Sequence, residues 1–340
     1  MKKNENRSKL FKILFILALL SNRFKYDDYL NYKKTIDSIN QTILKIYIMA
    51  HKDFINYRYN KVYSIVIDDK SQLKNKYNLN VIYANEGKLY QMNRAYSEMS
   101  QLYFIYQLYK NGTFSSKYIG LNHYRRFFDF ADDIPDLDKI FQNNDVILNS
   151  PIVAQEGMKG HYCKYHLCKK YDEIINIIED IRPEYYETAL KTRNEKLIYF
   201  CNLFIMKKND FLKYCEFMFD ILFEFDRRNN FSSDDDVLNY TKDFYSEHSE
   251  FYYQSRMESF LSERIGNIFY YHHFQRIKTF DFGNYHSSEN RKEKLFPSYT
   301  IIGHKVINET NQALFLSMVF NCVLLIIFST INFFQKLYLK

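Results

Sequence analysis

The sequence predicts an α/β fold: a mixed, mainly parallel sheet flanked by helices. Short β-rich apolar runs alternate with longer stretches of helical spacing. Polar clusters rich in His and Arg follow two of those runs directly, as loops do beyond strand ends in open α/β sheets. No internal repeat or Gly-Ser linker divides the chain.

The elements follow in order. Thr42–Ala50 (TILKIYIMA) reads as the first strand and ends at the polar cluster His51-Lys52-Asp53. Asn80–Tyr83 is a second short strand. Ala95–Lys110 sets Met99, Leu102, Tyr103, Tyr106 and Tyr109 near helical spacing, and Asn111-Gly112 stops it. Lys117–Leu121 is a strand that runs straight into Asn122-His123-Tyr124-Arg125-Arg126. Asp136–Phe141 predicts a short helix, Asp145–Leu148 a strand, and Ser150-Pro151 a loop. Tyr171–Ile181 is helical, and Pro183 opens another helix at its first turn. Ile198–Met206 (IYFCNLFIM) reads as one strand, Asn209–Phe225 as a helix, Asn229–Asp236 as a polar loop, Phe251–Tyr271 as a helix and Arg276–Phe280 as a closing strand. The expected partition is a basic and apolar segment over 1–40, a catalytic domain over 41–282, a linker over 283–312 and a transmembrane helix over 313–334.

Composition excludes some classes. With 46% hydrophobic and 19% aromatic residues, the chain of 340 is not disordered. It has 32 Tyr and 31 Phe but no Trp. Asn, Lys, Ile and Tyr abound as an AT-rich genome would dictate, so the aromatic content is not read as base stacking. The net charge of +7 suits anionic ligands such as nucleotide phosphates or acidic headgroups. The basic residues are dispersed, which argues against nucleic acid as a partner. The five cysteines are irregularly spaced, so no disulfide framework and a reducing environment are expected.

Both ends point to a membrane. Ala313–Phe334 carries no charge and has the length, roughly 20 residues, of a bilayer-crossing helix. At the N-terminus, Lys2, Lys3, Arg7, Lys9 and Lys12 precede the apolar stretch Ile13–Leu20, which reads either as an interfacial helix or as a signal. Arg291, Lys292, Lys294 and Lys305 before the C-terminal span, against Lys336 and Lys340 after it, place the main domain on the cytoplasmic face of a membrane.

A His and two Arg beyond a strand end suit a diphosphate clamp, because guanidinium forks match phosphate oxygens. The same tetrapeptide can also be a surface ion cluster. The run Tyr118-Ile119-Gly120-Leu121-Asn122-His123-Tyr124-Arg125-Arg126-Phe127-Phe128 resembles the "YIGLcHYRRyf" signature of capsular and exopolysaccharide glycosyltransferases catalogued as a domain of unknown function. Lys45–Lys52, Tyr96-Ser97-Glu98-Met99, the stretch from His161 through Tyr162-Cys163-Lys164-Tyr165-His166, Asn202–Lys208 and Phe260-Leu261-Ser262-Glu263-Arg264 resemble further family segments in the same order. The chain departs from the family in lacking Trp in Leu102–Lys110 and in its apolar C-terminal run.

The resemblance implies a GT-A-like (Rossmann-like) fold. It implies transfer of a sugar from a nucleotide-diphosphate donor to a glycan or lipid-linked acceptor, of hexosyl or galactofuranosyl type. His51, Asp53, Arg125, Arg126 and Arg264 are then expected at the donor phosphates, and His161, His166 and Asn202 at the acceptor. Glu98, His123 and Glu263 are the candidate catalytic groups, with His166 also open as a base. No Asp-x-Asp follows the central strand. The arginines are therefore expected to supply the positive charge with no required cofactor, although Asp129, Asp132, Asp133 or Asp234-Asp235-Asp236 leave a divalent metal (Mn or Mg) open. The acidic triplet also reads as a solvated loop. His161, Cys163, His166 and Cys168 could ligate zinc, but their spacing fits no common structural site. The competing class is a degenerate, membrane-anchored adaptor or glycan-binding protein.

Overall fold

The strand Leu44–Met49 (β1) is buried on both faces, which is why its sequence is apolar without alternation. Tyr47 and Met49 face one core, and Leu44, Ile46 and Ile48 face the other. This is a computed structural model that describes residues 43–51, 62–67, 80–84, 87, 89–128, 134–286, 291–294, 299–302 and 305–308.

Further strands are β2 (Tyr63–Ile67), β3 (Asn80–Tyr83), β4 (Tyr118–His123), β5 (Arg126–Phe128), β6 (Val146–Asn149), β7 (Ile152–Val153), β8 (Leu197–Ile198), β9 (Phe204–Lys207), β10 (Arg276–Phe280), β11 (Phe282–His286), β12 (Arg291–Lys294), β13 (Tyr299–Ile302) and β14 (Lys305–Asn308). The main sheet has the order β14-β13-β10-β6-β9-β4-β1-β2-β3. Strands β3, β2, β1 and β4 run parallel, as do β6 and β10, while β9 lies antiparallel between β4 and β6. The stretch expected to be a linker contains strands: β13 and β14 extend the main sheet, and β11 and β12 join β5 in a small second sheet.

The chain leaves β1 toward β2 and β3, then returns to β4 on β1's other side. Ligands bind open α/β sheets at such a reversal, beyond the strands' carboxyl ends. Gly120 in β4 lets three strands close up there. A Cβ on it would lie 2.9 Å from Ile46 Cγ1 and 3.1 Å from Ile205 Cγ1.

The helices are α1 (Asn93–Tyr96), α2 (Glu98–Lys110), α3 (Leu137–Asn143), α4 (Gly157–Tyr165), α5 (Cys168–Ile181), α6 (Tyr186–Thr192), α7 (Lys208–Asn229), α8 (Asp234–Lys242), α9 (His248–Gln254) and α10 (Met257–His273). Helices α2, α5, α7 and α10 fill one face of the sheet with the larger core. On the other face α3 packs Phe141 against Tyr118, ring centroids 4.6 Å apart. Helix α10 is buried almost all round from Met257 to Tyr270, as a central core helix must be.

Several elements differ from the sequence expectation. Ile198–Met206 is not one strand, because Cys201 and Asn202 take left-handed backbone (φ 70° and 49°) and divide it into β8 and β9. Ser97 (φ 49°) breaks the helix expected over Ala95–Lys110 into α1 and α2. The helix expected over Phe251–Tyr271 is broken at Ser255-Arg256. The acidic triplet is the first turn of α8 rather than a loop. Ser233 and Asp236 form a capping box, and Asp234 accepts from the backbone N–H groups of Arg94 and Ala95. Cys163 and Cys168 form a single disulfide across the α4–α5 turn, where the irregular cysteine spacing led to the expectation of a reducing environment and no disulfide framework.

The membrane helix is corrected. Among the described residues no helix is long and apolar enough to cross a membrane. The 22-residue α7 has the length, but Lys208, Asp210, Lys213, Glu216, Asp220 and Glu224 interrupt it. Residues 313–334 and the N-terminal segment 1–40 lie outside the described residues. Among the described residues the fold is mixed α/β with no transmembrane helix, which overturns the expected span and the cytoplasmic-face placement that depended on it.

Candidate active site

A cleft of about 1230 Å³ opens beyond the carboxyl ends of β1 and β4. The two strands pair in register, Met49 opposite His123. That register sets His51, two residues beyond Met49, beside the polar run after β4, with its ring 4.8 Å from that of Tyr124. His51, His123, Arg125 and Arg126 all line this cleft.

Glu98 enters as the first residue of α2, where the helix N-terminus favours a carboxylate. The left-handed Ser97 turns the chain to put it there. Glu98 Oε1 lies 3.5 Å from His123 Nε2 and accepts from Asn202 Nδ2 at 3.1 Å. Burial pushes the His123 imidazole down to about 4. Glu98 opposes that shift, and Arg126, Arg125 and Arg256 add to it. The ring is neutral at pH 7.

The Cys201–Asn202 turn ties the sheet to α10. Its Cys201 N–H donates to Glu263 Oε1 at 2.8 Å, and Arg126 Nη1 donates to Cys201 Sγ at 3.0 Å. Glu263 Oε2 accepts from Arg264 Nη1 at 2.7 Å. Both Glu263 oxygens are thus engaged. Burial raises its pKa, and Arg264 and the Cys201 N–H partly offset this. Arg264 is itself buried, lies over the Phe200 ring at 4.7 Å and donates to His161 Nδ1 at 3.2 Å. Burial lowers the pKa of His161, and it lowers His166 to about 4. His166 is held through Nδ1 by Gln254 Oε1 at 2.9 Å and stacks on Phe260 at 4.2 Å.

Nine of the expected site residues therefore share one cleft: His51, Glu98, His123, Arg125, Arg126, His161, His166, Glu263 and Arg264. Asn202 does not line it. Its amide stands behind, bonded to Glu98 and to Ser262 Oγ (3.1 Å). Asp53 lies outside the described residues, as do Asp129, Asp132 and Asp133.

Arg94, Arg256, Gln254 and Tyr253 also line the cleft and carry no signal in the sequence, and Tyr165, inside a family-like segment, lines it too. Arg256 sits at the helix break, and its Nε donates to Ser97 Oγ at 2.9 Å. The walls hold five arginines against Glu98, Glu263 and Asp234. Arg94 Nη1, Arg126 Nε and Arg264 Nε are buried with no hydrogen-bond acceptor. Buried unpaired donors of this kind are costly, and they mark the guanidinium groups of this wall as held by packing rather than by carboxylates alone. Among the described residues no three His, Cys, Asp or Glu side chains converge as metal ligands. Cys163 and Cys168 are bonded to each other, and the position after β4 carries cationic arginines. The described residues do not fit a divalent metal there.

The apo structure of the bifunctional glycosyltransferase WbbM is similar to this chain, with a TM-score of 0.52 and 20% sequence identity. The match covers 71% of this chain and 45% of that one, so this chain spans less than half of that protein's length. At that identity the likeness concerns the fold. No curated protein matches the chain. Residues 45–275, which contain the cleft and both strands of the switch point, match the family model described as Domain of unknown function (DUF4422), and the chain belongs to that family.

Proposed function

We propose that the protein is a glycosyltransferase of surface polysaccharide synthesis, with residues 41–282 as its catalytic unit. It moves a sugar from a nucleoside-diphosphate donor to a glycan or lipid-linked acceptor. The observation that carries this reading is the convergence of five arginines on one cleft at the β1–β4 switch point. The transferase fold of a similar chain supports it.

In this reading Arg126 and Arg125 receive the diphosphate, with His51 beside them. As the bond from the anomeric carbon to the phosphate oxygen breaks, negative charge grows on that oxygen, and fixed guanidinium groups in a partly water-excluded cleft stabilise it. Glu98 takes the proton of the acceptor hydroxyl as its oxygen attacks the anomeric carbon. Asn202 holds Glu98 in place, and His123, kept neutral by burial, lies beside it. Glu263 fixes Arg264 and the Cys201 turn rather than moving a proton, since neither oxygen is free. His161 and His166 sit on the acceptor side.

The test is a nucleotide-sugar panel assayed by calorimetry and by donor hydrolysis, with Arg126→Ala alongside. Wild type should bind and turn over one donor class, and Arg126→Ala should lower turnover by about a hundredfold or more. Failure of every nucleoside diphosphate and nucleotide sugar to bind would refute the proposal.

A further inference from the structure

Two tyrosines at the mouth of the cleft stand in the open. Tyr165, at the end of α4, is 51% exposed, and Tyr253, in α9, is 52% exposed. Scattered exposed aromatics are ordinary on a protein surface. These two come from elements far apart in sequence, yet both line one cleft. They are also held rigidly. Gln254 Nε2 donates to the Tyr165 carbonyl at 2.8 Å while its Oε1 accepts from His166 Nδ1–H at 2.9 Å, so one side chain clamps α9 to the end of α4. The Cys163–Cys168 disulfide closes the loop that contains Tyr165 and His166. Tyr253 leans on Phe260 (5.0 Å between centroids), which is itself stacked on His166.

We infer that Tyr165 and Tyr253 form a stacking subsite for a pyranose oligosaccharide acceptor, outward from the reacting sugar. The inference rests on the transferase reading above and deepens it. A pyranose ring presents a C–H face and a rim of hydroxyls. A fixed phenol ring covers the first, and neighbouring polar side chains take the second. His161, Gln254 and Arg256 supply such groups beside the rings. Because the platform is already ordered, binding loses little side-chain freedom. The arginines assigned to the donor follow β4 on the sheet side, whereas the tyrosines stand on the helical wall. The cleft of about 1230 Å³ exceeds the 300–1,000 Å³ or so of a single small-ligand pocket, leaving room for a second ligand. A lipid surface fits less well, since membrane-lying faces carry Trp, Phe or Leu flanked by Lys and Arg. Cations are present here too, with Lys164 over the Tyr165 ring at 5.4 Å, but the exposed aromatics lining the cleft are two phenols, and among the described residues no exposed Phe or Leu joins them.

The test uses the full chain and saturation-transfer NMR with glucose- and galactose-based trisaccharides and the matching methyl monosaccharides. UDP, GDP and ADP binding is followed by calorimetry in parallel. The expected result is a preferred trisaccharide that binds about tenfold tighter than its monosaccharide. Tyr165→Ala and Tyr253→Ala should each remove most of that gain while leaving nucleotide affinity within about twofold, and Tyr→Phe should keep it. Equal binding of long and short glycans, or equal loss for both in the variants, overturns the subsite. So does a result in which the Tyr→Ala variants lose only binding to phosphatidylglycerol vesicles, followed by sedimentation in parallel, and keep the trisaccharide preference. Absence of nucleotide binding with glycan binding intact would instead overturn the transferase reading alone.

Discussion

His123 Nε2 lies 3.5 Å from Glu98 Oε1, with the two side chains 12% and 10% exposed. One residue ends a central strand and the other begins a helix, so their meeting is fixed by the sheet's register and by the left-handed turn at Ser97.

Glu98→Gln keeps the shape and removes the proton acceptor. Transfer turnover should fall by about 10²–10⁴-fold while donor affinity changes little. Steady-state kinetics with calorimetry would check this, and a rise in KM with unchanged kcat would reassign Glu98 to binding.

Transfer should persist in excess chelator, because arginines occupy the position after β4 where a metal-binding Asp-x-Asp would stand. The measurement is turnover before and after EDTA treatment, then with Mn or Mg restored. Strict dependence on added metal would shift the charge-stabilising role away from Arg126.

Removing Glu263 leaves Arg264, 2% exposed, without its carboxylate partner. Glu263→Gln should cost about 3–5 kcal/mol in urea unfolding, the usual penalty for breaking a buried pair. Pairing it with Arg264→Met should recover part of that loss.

Buried groups of two kinds give opposite pH trends. His123 and His166 are both held near 4, below their usual 6.5, so the stability they contribute is present above pH 6.5 and lost as pH falls toward 4. Glu258 is fully buried beside Asp226 and raised well above 4.5. Its contribution is present below 4.5 and lost as pH rises through its folded value. Thermal unfolding across pH should show Glu258→Gln more stable than wild type at pH 8, with the difference vanishing near pH 4. His166→Gln should flatten the acid limb.

Gly120→Ala would press a methyl against Ile46, Ile205 and the Phe204 carbonyl, 2.9, 3.1 and 3.3 Å away. Overpacking of this kind costs about 1–3 kcal/mol, read by chemical denaturation. Because β4 carries His123, activity should fall beyond what the lost stability explains.

Much of this molecule was legible in the chain. The apolar runs gave β1, β3, β4, β6 and β10. The rule that ligands sit beyond strand ends correctly grouped His51 with His123, Arg125 and Arg126. What stayed hidden was local chirality. Ser97 and Cys201 adopt left-handed backbone that their residue types do not announce, Asn202 does so inside an apolar run, and those turns place Glu98 and divide the expected strand. Arg94 and Arg256 reach the cleft only through long-range packing, so neither periodicity nor spacing marks them. Asn202 was expected to touch the acceptor, yet it braces Glu98 from behind. The apolar run Ala313–Phe334 argued for a membrane helix on local grounds alone, and among the described residues no helix supports one.

Cys201 has a consequence of its own. The residue is 5% exposed, burial raises its thiol pKa to about 12, and Cys215 is fully buried with its pKa also raised. A thiol so far from ionising is a poor nucleophile, so alkylating reagents should pass it by in the native protein. Cys201 also touches the guanidinium of Arg126. The rate at which maleimide finds it therefore times the parting of sheet from helix at the heart of the cleft, with no knowledge of the substrate required.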